Sequence, residues 1–182
     1  MKKTIILAAI VCLTITNAFA QNCNYEKNEI DPVTKKQLKI TKGEILTGKL
    51  VLNANMLAIK GIKNDQDILL LCGLTIQSKT EQTILVKKGY KVFLILEDGS
   101  NVEIESVADF KGTLFADKNF GNFQYGIDAQ FEVTKDALAK IQNKKVKMVR
   151  MEVDMNGNKF NKDTEIKDKK QDEISNLLKC VN

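Results

Sequence analysis

The sequence predicts an α+β fold: a mostly antiparallel β-sheet or flattened barrel with two short helices late in the chain, a β-sandwich being the alternative. Three observations predict it. Apolar and polar residues alternate with a period of two through long stretches, as strands with one wet face require. Gly, Asn and Asp punctuate those stretches at short intervals, which suits hairpins rather than crossovers. Helical spacing is confined to the last third of the chain, so strands precede helices instead of alternating with them, unlike a parallel doubly wound sheet.

Taken in order, weaker strand signals fall at 35–41, 44–53, 56–60, 68–76 and 83–87, separated by Lys42-Gly43, Asn64-Asp65 and Lys88-Gly89. Residues 90–96 are apolar on both faces and predict a central strand. Asp98-Gly99 then turns the chain into 101–107, giving the clearest hairpin. In 124–133, Tyr125, Ile127, Ala129, Phe131 and Val133 alternate with Gln124, Gly126, Asp128, Gln130 and Glu132. In 146–155, Val149, Met151, Val153 and Met155 alternate with Arg150, Glu152 and Asp154. Thr134 is placed to cap a helix over 135–143 that turns Ala137, Leu138 and Ile141 inward. Asp168 with Gln171 resembles a capping box, followed by Ile174, Leu177, Leu178 and Val181 at helical spacing.

Residues 1–20 read as an export signal. Lys2 and Lys3 form a basic start, an apolar run follows, and Ala18-Phe19-Ala20 offers small residues at a cleavage site. That apolar run is too short to span a bilayer, and no later stretch is long enough either. Residues 21–182 then form a single globular domain, periplasmic or secreted. Cys12 leaves with the signal, and Cys23, Cys72 and Cys180 remain. Cys72 sits in an apolar run typical of a buried strand. Cys23 and Cys180 lie at opposite ends of the domain, and termini often meet, so the expected disulfide is Cys23–Cys180. Closing so long a loop restricts the unfolded chain by about 4 to 5 kcal/mol in the entropy model.

With no histidine and no tryptophan among 182 residues, the commonest general base, the commonest zinc ligand and every Ser-His or Cys-His pair are excluded. Formal net charge is +5, nearly all of the positive side being lysine, with Arg150 the one arginine. Base readout and phosphate forks favour arginine, so no nucleic-acid partner is expected. No cofactor and no transmembrane segment are expected either.

Phe110, Phe115, Phe120, Phe123, Tyr125 and Phe131 crowd into 110–131. Within that stretch, Phe120, Phe123 and Tyr125 stand among glycines and amides, a setting in which rings stack on a sugar or an apolar ligand while amides orient it. Rings plugging the end of a sheet are the structural alternative. Arg150 is the second candidate, as a clamp for a ligand carboxylate, its expected neighbour on the same face being Glu152. Asp154, Asn156, Asn158 and Glu165 match some positions of a calcium loop. The glycine that loop needs at its sixth position is Lys159 here, and a hairpin turning at Asn156-Gly157 accounts for the stretch better, leaving no metal site. Asp109, Asp117 and Asp128 border the aromatic segment and form the one carboxylate group suited to sugar hydrolysis without histidine.

The opening of the mature chain, from Cys23-Asn24-Tyr25 through Asp31-Pro32-Val33-Thr34 to Lys39-Ile40-Thr41, is similar to that of small uncharacterised secreted proteins of Bacteroidota. The segments Leu94-Ile95-Leu96-Glu97-Asp98-Gly99 and Val146-Lys147-Met148-Val149-Arg150-Met151 resemble them too. The resemblance implies an exported bacterial protein and brings no functional residues with it. The function expected is therefore an exported, non-catalytic module that binds a protein, a glycan or a small apolar ligand. A two-carboxylate polysaccharide hydrolase is the alternative.

Overall fold

The computed structural model describes residues 23–47, 56–116 and 123–182. The export signal and the second half of the expected strand 44–53 lie outside them, as does Phe120. Among the described residues the strands are β1 (Tyr25–Ile30), β2 (Gln37–Thr41), β3 (Glu44–Thr47), β4 (Leu57–Asn64), β5 (Asp67–Ser78), β6 (Ile84–Val86), β7 (Lys91–Leu96), β8 (Asn101–Ser106), β9 (Phe110–Lys111), β10 (Thr113–Ala116), β11 (Phe123–Glu132), β12 (Val146–Met155) and β13 (Asn158–Glu165). The helices are α1 (Lys135–Ile141) and α2 (Glu173–Val181), both late in the chain. The fold is the expected α+β arrangement around one mostly antiparallel sheet.

Strand order is β1-β2-β4-β5-β11-β8-β7-β12-β6-β9, with β3 added to β4, β10 to β11 and β13 to β12. The ladder does not close, although β9 pairs with β6 and β10, just beyond Gly112, pairs with β11. Hairpins fall where the turn residues place them: β7 to β8 through Asp98-Gly99, and β12 to β13 through Asn156-Gly157, both of the latter at positive φ (52° and 84°).

Cross-strand register decides which residues fill the core. Leu57 and Ile59 of β4, Leu70, Cys72, Leu74 and Ile76 of β5, and Tyr125, Ile127, Ala129 and Phe131 of β11 share the inner face and are all buried. The inner residues of β7, β8 and β12 join them in one cluster with Ile174, Leu177, Leu178 and Val181 of α2. Helix α2 reaches the sheet at Gly61: a Cβ there would stand 3.0 Å from the Leu177 carbonyl oxygen and 3.2 Å from Val181. Only a residue without a side chain lets the helix lie this close.

Helix α1 begins at the expected cap, the Thr134 hydroxyl accepting the Ala137 N–H at 3.2 Å, and ends before Asn143, whose φ is +63°. The capping box is not formed. Asp168–Lys170 is a 3-10 turn, and the Gln171 amide donates to Asp168 Oδ1 and to the Ile166 carbonyl rather than reaching back to a cap N–H. Helix α2 starts five residues after Asp168, at Glu173.

Cys23 and Cys180 form the expected disulfide, their Cα atoms 5.7 Å apart across 157 residues of sequence. The Tyr25 hydroxyl donates to the Cys180 carbonyl at 2.8 Å, so β1 and the end of α2 are joined twice. Cys72 is a free, buried thiol, and burial pushes its pKa up to about 12.

Candidate functional site

Strand β11 carries the aromatic segment, and its two faces have opposite characters. Tyr125 and Phe131 point inward at 4% and 0% exposure. The Tyr125 hydroxyl accepts the Gln82 N–H at 2.7 Å, anchoring the segment that precedes β6. Phe123 and Phe110 are half-buried and pack against the core. The described rings near the start of β11 therefore pack inward, and the residues this strand turns outward include Gly126 and Asp128.

Those two residues complete a shallow trough on the outer face. Ile45 of β3, Ala58 of β4, Gly73 of β5 and Asp128 of β11 lie side by side in register. In the adjoining row Thr75 pairs with Gly126, and its N–H donates to the Met56 carbonyl at 2.9 Å. Glycine, alanine and glycine in neighbouring strands keep side chains short here, and the hollow holds about 370 Å³ between Met56, Thr75 and Asp128. A Cβ on Gly73 would lie 2.6 Å from Asp128 Oδ1. The missing side chain is thus what allows the carboxylate to fold across β5 and over the trough floor. Thr75 is 4% exposed and lines this hollow, and its hydroxyl has no hydrogen-bond partner among the described residues. No fully buried side-chain nitrogen or oxygen among the described residues lacks a partner, so this hydroxyl opens into the hollow.

Sequence reasoning named Asp128 only as one of three border acids and missed Ala58, Gly73 and Thr75. A signal was present: within Leu69–Ile76 the outward positions shrink from leucine to glycine and threonine. The other two acids do not join Asp128 at the trough. Asp109 accepts the Lys88 N–H at 2.7 Å and closes a turn, and Asp117 lies outside the described residues.

Arg150 projects from the opposite part of the sheet, in register with Phe93 on one side and Asp163 on the other. Its Nε and Nη2 donate to the two Asp163 oxygens at 2.6 and 2.7 Å, a bidentate fork. The guanidinium holds Asp163 below the usual carboxylate range and is itself raised. The expected neighbour Glu152 is engaged elsewhere, accepting from Lys159 Nζ and from the Lys91 N–H, each at 2.8 Å. The reason is geometric: the β12–β13 hairpin sets Asp163 directly across from Arg150, closer than a residue two places along one strand.

The hairpin reading of 154–158 is the one the structure contains. Asp154, 2% exposed, receives Lys87 Nζ at 2.8 Å and the Gly157 N–H at 2.6 Å, and the Lys87 ammonium is the main cause of its lowered pKa. The Asn156 side chain accepts the Thr83 N–H and donates to Gln82. The first and third oxygens of the calcium pattern are consumed in tying this turn to the segment before β6.

No helix among the described residues is long and apolar enough to cross a membrane. Compared with protein families, curated proteins and solved structures, the chain matches none.

Proposed function

We propose that the protein is an exported, non-catalytic binding module and that its ligand sits in the outer-face trough formed by β4, β5 and β11. One observation carries this reading: small residues in three adjacent strands open a hollow of about 370 Å³, within the size range of ligand sites. Its walls combine apolar surface with a few polar groups, the usual division between affinity and orientation. Export is supported by the Cys23–Cys180 bond, since disulfides persist in oxidising compartments, and by the basic and apolar start of the chain. A periplasmic or secreted location follows.

The test is a fragment screen by amide chemical shifts on the disulfide-bonded protein, repeated on Ala58→Leu, which fills the hollow from its half-exposed edge. Fragments that move the Ala58, Gly73 and Gly126 amides in the wild type and not in the variant support the proposal. A screen in which shifts cluster elsewhere defeats it.

A further inference from the structure

The trough has one charged lining group, and its placement states what ligand fits. Asp128 is exposed, with no hydrogen bond or ion pair to its carboxylate among the described residues. Its nearest outer-face neighbours in β11, Gly126 and Gln130, are uncharged, Glu132 beyond them is a second acid, and Lys60, two strands away on the same face, is ion-paired with Glu26. No cation among the described residues is paired with this acid. Its Oδ1 stands over Gly73 at the edge of the hollow, so anything resting on the floor meets negative charge at one end and the Thr75 hydroxyl beside it. An anion would be repelled, and a neutral ligand would leave the carboxylate partly desolvated without compensation.

We infer that the trough binds a small organic cation with a flat apolar body, the cationic head on Asp128 and the body against the half-exposed backbone of Gly126. The flat floor favours a planar group, because no Cβ lifts it from the sheet, and Thr75 Oγ1 is available to a second donor on the ligand. An amidinium matches the carboxylate with two parallel donors, the geometry that strengthens such pairs. This inference rests on the trough being the binding surface.

The experiment compares benzamidinium, benzamide and benzoate, which share a ring and differ in charge, by amide shifts of the full disulfide-bonded chain. Benzamidinium is expected to move the Ala58, Gly73 and Gly126 amides in a saturable way, with affinity at least about tenfold above benzamide, and benzoate to move none of them. Asp128→Asn is expected to abolish that preference while leaving the melting temperature unchanged, because the residue is exposed and makes no ion pair. Equal affinity for benzamidinium and benzamide, or a preference that survives Asp128→Asn, overturns the cation assignment while the trough stands as a binding surface. If none of the three probes shifts the trough amides at millimolar concentration, the inference fails, and only the wider fragment screen on wild type and Ala58→Leu then speaks to the trough itself.

Discussion

The Tyr25 hydroxyl donates to the carbonyl of Cys180 at 2.8 Å, two residues from the cysteine that is bonded to Cys180 itself. A covalent link and a hydrogen bond thus fasten the same two segments. Helix α2, which they hold in place, supplies part of the core that covers β4 and β5.

Replacing both Cys23 and Cys180 by serine should lower stability by about 2 to 5 kcal/mol, the usual cost of losing a disulfide from a small domain. Thermal unfolding with and without reductant measures it. Alkylation should leave Cys72 unmodified in the native state, since burial pushes its pKa up to about 12 and the thiolate is the reactive form. After unfolding without reductant, mass spectrometry of the processed chain should count one alkylated thiol.

Gly61→Ala should destabilise the protein by about 1 to 3 kcal/mol, the range for overpacking a filled site. The new methyl would meet the Leu177 carbonyl oxygen at 3.0 Å and both Val181 methyls, and backbone cannot yield as a side-chain tip does. Urea unfolding midpoints of variant and wild type decide the matter.

Tyr125→Ala should cost about 3 to 5 kcal/mol, as expected for a large buried aromatic, while Tyr125→Phe should cost about 1 kcal/mol for the Gln82 N–H left unpaired. A ring that served only as a ligand platform would leave the melting temperature in place, so calorimetry separates packing from display.

Asp154 contributes to acid lability. Its folded pKa lies below the ordinary 3.8 because of the Lys87 ammonium and the Gly157 N–H, so its stabilisation is present above about pH 4 and is lost as pH falls toward the depressed value. Asp154→Asn should therefore lose less stability than wild type between neutral pH and pH 3. Parallel acid titrations of the unfolding free energy provide the comparison.

Much of the architecture was legible because burial and alternation coincide. β5, β7, β8, β11 and β12 each place large apolar residues on one face at every second position, and their ends lie within two residues of expectation. β1 escaped notice because Tyr25–Ile30 has no such pattern: it is mostly exposed and is a strand by pairing with β2, not by filling the core. β9 and β10 are too short to show a period. The trough was hidden for a different reason. Its floor is made of absent side chains, Gly73 beside Ala58 and Gly126 beside Thr75, and only the register of β11 against the β4–β5 hairpin puts those absences together. Among the described residues of the aromatic segment, Phe110, Phe123, Tyr125 and Phe131 all pack in or against the interior.

The dependence of β4 and β5 on α2 also fixes a timetable. During vectorial synthesis those two strands emerge more than a hundred residues before the helix that seals them, so an apolar surface stays uncovered until the ribosome has nearly finished. Any holding factor in the cell has until then to keep the polypeptide from clumping, and a ribosome stalled before residue 173 leaves a product with its interior open to water.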